Sequence, residues 1–228
     1  FLLFMFGFRT LNYHSYLYLS TVQSSADYFL LDDRRSPDQD RIVGGHEANI
    51  EDYPHQVSFI VNNSYFCGGF IVSENYILTA AHCAQDVDPS TVVLRAGSSF
   101  RKNGTIIPIA EVIPHPQYDQ PAFDKDVAVM RTVDPIQFTE TIQPIPLPQR
   151  NRAMRGGTDI NVSGWGRTEQ GASSIPERLM EVRVPVVYFI ECAATYAGVL
   201  TRNMFCAGNF FLGGQGTCQV CLWTCFLS

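Results

Sequence analysis

The sequence predicts an all-β protein, because short apolar stretches recur between turn residues and helical periodicity is scarce. Six short strands are expected between residues 56 and 147, at 57–61, 65–73, 76–81, 92–96, 105–113 and 127–132. Only the residues after Cys83 suggest a helical turn. Several short strands joined by turns are typical of a closed antiparallel barrel, which we therefore expect in this part of the chain.

Individual strands have local signals. Residues 57–61 alternate between two faces and end at the turn pair Asn62-Asn63. Residues 65–73 and 76–81 are apolar and rich in strand-forming side chains, with Glu74-Asn75 separating them. Each segment therefore predicts a strand that ends where its turn residues begin.

A second group of strands follows a segment of different composition. Residues 144–155 are rich in Pro and Arg and are expected to cross from one barrel to the next. Strands are then predicted at 160–165, 179–187 and 204–207, the second of them with Val at every other position from 182 to 186. The chain therefore predicts two groups of strands around one connection.

Composition narrows the possible partners. The 228 residues are 46% hydrophobic, which is ample for one large or two small all-β units. The net charge is −6, and Lys and Arg are scattered, so nucleic acid is not expected as a partner. Residues 1–8 are apolar but too short to span a membrane as a helix, and no membrane association is expected. A monomer is the expected state.

Residues 1–41 differ from the rest and are expected to be an N-terminal extension or pro-segment, in part artefactual. Residues 1–8 resemble the apolar remnant of a signal peptide, although no convincing small-residue cleavage site follows, and residues 11–31 lack clean periodicity. Translated non-coding sequence or a fragment boundary is slightly favoured for this segment. Residues 32–40 are charged and contain Pro37, which is typical of an exposed linker.

Seven cysteines in a chain of this length indicate an oxidising, extracellular compartment. Their spacing does not match a zinc site, and the cluster Cys218, Cys221 and Cys225 has no fourth ligand in view, so no metal or other cofactor is expected. Two glycosylation sequons, beginning at Asn62 and Asn103, lie in turn-like surroundings. A third, at Asn161, leads into a strand and is interpreted as chance.

Five motifs occur in a characteristic order. They are Arg41-Ile42-Val43-Gly44-Gly45, Leu78-Thr79-Ala80-Ala81-His82-Cys83, Asp126-Val127-Ala128-Val129-Met130, Ser163-Gly164-Trp165-Gly166 and Cys206-Ala207-Gly208. From residue 41 to about residue 219 the chain resembles the chymotrypsin/trypsin family of serine endopeptidases. The resemblance implies a chymotrypsin-like double antiparallel β-barrel with the second barrel incomplete, formed by residues 42–148 and 149–228.

The resemblance also implies roles for particular residues. His82 would be the general base and acid, and Asp126, which directly precedes an apolar strand, would orient it. The neighbouring Asp124 is interpreted as a solvated turn residue, and the other histidines, His55 among them, as surface or loop residues. Bonded family pairs match Cys67–Cys83 and Cys192–Cys206.

Activation would follow the family pattern. Cleavage between Arg41 and Ile42 by an activating protease would free an ammonium that pairs with an Asp beside the nucleophile. An Arg in a polar linker is accessible to such a protease. The chain is therefore expected to be a secreted zymogen acting on protein or peptide substrates.

The resemblance breaks after Gln219, where the family continues with Gly-Asp-Ser-Gly-Gly-Pro. Here Val220 replaces a Gly of the oxyanion hole, Cys221 replaces the Asp, and Leu222 stands in the nucleophile position, without a hydroxyl. We expect a truncation or frameshift after Gln219. Read one base out of frame, the codons of Trp223-Thr224 give GGA, which encodes Gly. The next shifted codon is CNT, which encodes Pro in one of its four forms, and Gly-Pro is the family's sequence at this point.

Two functions remain open at this point. The chain is either a serine endopeptidase whose sequence is incomplete, inactive as written, or a non-catalytic homologue that binds or regulates. Gly216 occupies the position at the base of the specificity pocket where an Asp would select Arg and Lys. A restored enzyme is therefore expected to prefer apolar or small side chains.

Overall fold

The computed structural model describes residues 45–62, 64–121, 123–148, 154–166, 174–196, 198 and 200–208, and the backbone of 225–226. Eleven strands are assigned in this part: β1 His46–Glu47, β2 Gln56–Val61, β3 Ser64–Ile71, β4 Tyr76–Thr79, β5 Val92–Ala96, β6 Thr105–Ile107, β7 Ile109–Pro114, β8 Ala128–Thr132, β9 Asp159–Gly164, β10 Met180–Pro185 and β11 Cys225–Phe226. Two short α-helices, α1 Ala81–Ala84 and α2 Phe189–Thr195, and a 3₁₀ turn Pro89–Thr91 complete the described elements. The all-β prediction is confirmed.

Seven strands form one curled antiparallel sheet in the order β6-β5-β2-β3-β4-β8-β7. Its two edge strands, β6 and β7, are consecutive in the chain and separated only by Pro108, so the sheet curls back to where it began. Strands β3 and β4 pack closely, since a Cβ at Gly69 would lie 2.9 Å from the carbonyl oxygen of Leu78.

The sheet encloses an apolar core. Its fully buried side chains include Val57, Phe59, Ile71, Ile77, Leu94 and Met130. Burying one such side chain stabilises the fold by about 1.5–3 kcal/mol. Alternation along each strand places these residues on the inner face.

Strand β2 is buried on both faces, which the alternation pattern alone does not show. Val57 and Phe59 face the core, whereas Gln56 and Ser58 face the other way and are also buried. The Ser163 hydroxyl of β9 donates to Gln56 Oε1 over 2.9 Å, and Ser58 donates to the carbonyl of Arg101 over 2.6 Å. The outer face of β2 is therefore an interface with the second sheet, where buried polar groups are hydrogen-bonded.

The second sheet has the order β1-β10-β9-β11 among the described residues. Although residues 42–148 were assigned to the first barrel, β1 pairs with β10, so this segment joins the second sheet. Ala48, Ile50 and Tyr53 continue the connection by packing with Trp165 and Leu179. The chain thus crosses between the two units near residue 54.

Two predicted strands differ from the structure, and one observed helix was not predicted. The strand expected at 105–113 is split at Pro108, which lacks an N–H, and its halves pair with β5 and β8. The strand expected at 204–207 is reduced to a bridge between Ala207 and Val186, because residues 201–204 form a hydrogen-bonded turn. Helix α2 was not predicted because its apolar residues Phe189 and Ile190 point to solvent, which leaves no amphipathic pattern.

Within the described ranges, none of the helices combines the length and apolar character needed to cross a membrane.

Candidate active site

His82 lies in α1, immediately after β4. The chain leaves β4 at Thr79, whose hydroxyl donates to the buried carbonyl of Gly68 over 2.8 Å. Ala80 and Ala81 have no exposed surface, so the start of α1 is set into the core. The side chain of His82 nevertheless keeps 33% of its surface exposed. Its helix is therefore fixed in place while the imidazole remains accessible.

Asp126 reaches His82 because β4 and β8 are antiparallel neighbours. Thr79 at the end of β4 pairs with Ala128 at the start of β8. His82 follows Thr79 by three residues, and Asp126 precedes Ala128 by two. The register of two strands therefore brings together residues that are 44 positions apart in sequence.

The carboxylate of Asp126 binds His82 at two points. Oδ2 lies 2.7 Å from Nδ1 of the ring, and Oδ1 accepts a hydrogen bond from the backbone N–H of His82 over 2.7 Å. That N–H lies in the first turn of α1, where backbone donors have no partner within the helix. With only 10% of its side chain exposed, Asp126 holds both the ring and its backbone.

This geometry assigns the tautomer. A carboxylate can only accept, so Nδ1 carries the hydrogen and Nε2 of the neutral ring has a lone pair. Nε2 lies 3.2 Å from Sγ of Cys83. Because a disulfide sulfur has no hydrogen, Cys83 donates no hydrogen bond to Nε2.

A disulfide ties the helix that carries His82 to the neighbouring strand β3. Cys67 on β3 is bonded to Cys83 on α1 with a Cα–Cα distance of 6.3 Å, and Cys192 on α2 is bonded to Cys206 at 5.9 Å. Both distances lie in the usual range of about 4.4–6.8 Å. The ligand atoms of Cys67, His82 and Cys83 lie within 4.8 Å of one another, but sulfurs bonded to each other are not metal-binding thiolates.

The interpretation of Asp124 as a solvated residue is wrong. Its side chain is buried, and it accepts hydrogen bonds from Thr201 Oγ1 over 2.6 Å and from Asn203 Nδ2 over 2.9 and 3.1 Å. Lys125 Nζ lies 3.4 Å away. Burial raises the pKa of Asp124, but the hydrogen bonds from Thr201, Asn203 and Lys125 outweigh it and hold the pKa below its ordinary 3.8. Asp124 thus anchors the loop that carries Asp126.

His55 is a loop residue, as one of the two expected alternatives had it, but it does not lie at the surface. His55 precedes β2 and is buried, with its backbone carbonyl accepting from Ile71 N–H over 2.9 Å. Desolvation lowers its pKa from 6.5 to about 4. His46 and His115 are partly or largely exposed, and His46 Nε2 lies 2.7 Å from a carboxylate oxygen of Glu181.

The other residues singled out in the sequence lie outside the described residues. They are the cleavage pair Arg41 and Ile42, the pocket residue Gly216, and the nucleophile region Val220, Cys221 and Leu222. The structure therefore describes the part of the candidate site that His82 and Asp126 form.

Comparisons with known proteins agree with this architecture. The trypsin family model matches residues 42–220. Trypsin Blo t 3 of Blomia tropicalis is 38% identical over 183 residues, covering 78% of this chain and 68% of the relative. Trypsin Tyr p 3.0101 of Tyrophagus putrescentiae is 40% identical over 184 residues, covering 78% of this chain and 64% of the relative. The chain thus spans about two thirds of the length of these curated relatives.

A solved structure shows the same fold. The crystal structure of the scabies mite inactivated protease paralogue S-D1 matches with a TM-score of 0.69 at 28% identity, covering 76% of this chain and 78% of that chain. Family match, sequence relatives and fold coincide with the placement of His82 beside Asp126. This chain belongs to the trypsin family of serine endopeptidases.

Proposed function

We propose that this chain carries the proton-transfer half of a serine endopeptidase site, with His82 as general base and acid and Asp126 as its orienting group. The paired contacts from the ring and backbone of His82 to the two oxygens of Asp126 support this most directly. Nε2 would take the proton of an attacking hydroxyl and return it to the leaving amine. Asp126 would stabilise the imidazolium formed in between.

Acyl transfer also requires a nucleophile, and we propose that the chain as written does not supply one. In the family register, Leu222 takes the place of the serine, and its side chain has no atom that can attack a carbonyl. Cys221 replaces the Asp that would receive the ammonium of Ile42. The family match ends at residue 220, at the start of this altered stretch.

The proposed setting is a secreted, extracellular, monomeric zymogen. Both disulfides support an oxidising compartment. Cleavage after Arg41 by an activating protease would precede action on protein or peptide substrates. This cleavage remains possible whatever the residue at position 222.

The proton-transfer half can be tested without turnover. Proton NMR of the chain is expected to show a strongly downfield resonance from the Nδ1 hydrogen of His82. Replacing His82→Gln should remove the resonance and Asp126→Asn should displace it, while His115→Gln serves as the matched control. If Asp126→Asn leaves the resonance unchanged, the carboxylate is not the partner of the ring.

The absence of acyl transfer has its own test. The chain is cut after Arg41 with trypsin, the trypsin is inhibited, and esterase activity and labelling by a fluorophosphonate probe are measured. Neither is expected, because Leu222 cannot attack phosphorus or carbon. Labelling that maps to this chain would overturn the proposal.

A second candidate function is a non-catalytic binding or regulatory homologue. The favouring observation is that the matched solved structure is described as an inactivated protease paralogue. The transcript sequence across Gln219 separates the two. A transcript that encodes Gly-Asp-Ser-Gly after Gln219 would support an endopeptidase, whereas one that encodes Leu222 in frame would support the homologue.

For a transcript that restores the serine, we propose a preference for apolar or small side chains before the cut bond. Gly216 places no carboxylate at the base of the pocket, and a buried guanidinium without a partner would cost several kcal/mol. Paired peptides with Arg or with Phe and Leu measure the preference as kcat/KM. A roughly 100-fold preference for Arg, about 2.7 kcal/mol, would contradict the proposal.

A further inference from the structure

The tip of the β5–β6 hairpin presents a complete glycosylation sequon to solvent. Asn103, Gly104 and Thr105 are all exposed, and Thr105 begins β6 opposite Ala96. The backbone N–H of Asn103 donates to the carbonyl of Phe100 over 2.9 Å, which closes the turn. The acceptor amide and the hydroxyl of the sequon are therefore displayed on one tight, ordered loop.

The middle residue of this sequon has to be glycine. Gly104 has φ +94°, and a Cβ there would lie 2.2 Å from the carbonyl oxygen of Ala96. The carbonyl of Gly104 in turn accepts from Arg95 over 3.3 Å. Glycine accommodates both this φ and this close approach of the backbone, so the conformation of the sequon turn depends on it.

The sequon at Asn161 offers the opposite environment. It lies within β9, where Asn161 is paired with Arg183 on one side and with Phe226 on the other. Its Ser163 is only 5% exposed, and the hydroxyl donates to buried Gln56 over 2.9 Å. A glycan on this strand would compete with the contact between the two sheets.

The sequon at Asn62 is intermediate. Asn62 and Ser64 are exposed at the β2–β3 turn, and Asn62 has a positive φ of 50°. The central residue, Asn63, lies outside the described residues. Asn103 is therefore the sequon whose three residues are all described and all exposed.

We propose that Asn103 is an N-linked glycosylation site, an inference that rests on the proposed secretory compartment. The donor class is a lipid-linked oligosaccharyl pyrophosphate. The bond from sugar C1 to the pyrophosphate oxygen breaks, a bond from C1 to Nδ2 of Asn103 forms, and Nδ2 loses one proton as the lipid pyrophosphate leaves. The glycan would shield two exposed apolar side chains of the same hairpin, Phe100 at 44% and Ile106 at 52% exposure.

The test expresses the full chain behind a heterologous signal peptide with endoplasmic-reticulum microsomes. Only chains protected from added protease are scored, so every scored chain has been translocated. We expect a gel shift that an endoglycosidase removes. Asn103→Gln and Thr105→Ala should each reduce this shift by the mass of one glycan. The matched controls are Thr105→Ser, which keeps the sequon, and Asn161→Gln, which should change nothing. Enzymatic release in ¹⁸O water should label position 103.

Three outcomes decide the proposal. A shift whose size Asn103→Gln leaves unchanged, or release that labels only position 62 or 161, overturns the assignment to Asn103. Translocated chains that form the Cys67–Cys83 disulfide yet carry no glycan also overturn it, and they leave the proposed secretion and site chemistry intact. By contrast, native protein isolated with Cys67 and Cys83 reduced would contradict the proposed compartment itself.

Discussion

Asp124 is expected to contribute more to stability than any other described carboxylate of its loop, because it joins that loop to the segment at residues 201–203. It accepts three short hydrogen bonds from Thr201 and Asn203 while only 3% of its surface is exposed. Hydrogen bonds to a charged group contribute about 1.5–3 kcal/mol each, and two residues, Thr201 and Asn203, donate to Asp124. Asp124→Ala should therefore lower the free energy of unfolding by about 3–5 kcal/mol.

A double-mutant cycle isolates this interaction. Asp124→Asn replaces one carboxylate oxygen by an NH₂ group, which then faces the N–H and O–H donors of Asn203 and Thr201. This variant should lower the free energy of unfolding by about 2–3 kcal/mol. Asn203→Asp alone places two carboxylates face to face and should also destabilise. The double variant restores a donor–acceptor pair, so its loss should be smaller than the sum of the two by more than 1 kcal/mol. Urea unfolding at pH 7 measures all four states.

The pH dependence gives an independent check. The folded pKa of Asp124 lies below its unfolded value of 3.8, so the folded state favours the ionised form. Its contribution is fully present above the unfolded pKa and is lost as the pH falls through the folded pKa. The difference between wild type and Asp124→Asn should therefore be constant from pH 7 to about pH 5 and shrink in more acidic solution. If Asp124→Asn costs less than 0.5 kcal/mol and adds simply to Asn203→Asp, the anchoring role is refuted.

Three further predictions follow from named contacts. Because the pKa of buried His55 is lowered to about 4, the unfolded chain binds a proton first, and stability should fall by up to about 3 kcal/mol between pH 6.5 and 4; His55→Gln should flatten this fall in urea titrations. Replacing Cys67 and Cys83 together by Ala should lower the free energy of unfolding by about 2–5 kcal/mol, measured as a lower Tm. In this variant a reductant should no longer change Tm through the Cys67–Cys83 bond. Gly104→Ala keeps the sequon but forces a Cβ against a carbonyl at positive φ; it should cost about 1–3 kcal/mol by calorimetry, and a neutral effect would contradict the hairpin geometry.

Much of the candidate site could be predicted because its chemistry is written in short local motifs. The order of the motifs resembles one family and thereby selected His82 and Asp126, and the structure places their side chains in contact. The pairing of Cys67 with Cys83 followed from the same resemblance, and the two are bonded in the structure. The strand expected at 92–96 has the same bounds in the structure.

The burial of polar side chains could not be predicted from the local sequence pattern, because contacts between distant segments decide it. The Asp-Lys-Asp run offers two carboxylates, and nothing near Asp124 shows that partners 77 and 79 residues away will bury it. Gln56 on the outer face of β2 is buried where β9 of the second sheet meets it, which single-strand periodicity cannot reveal. Strand-forming side chains were therefore readable from the sequence, since the alternation of faces is a property of the strand alone. Which faces meet, and so which polar groups lose water, depended on the register of the whole fold.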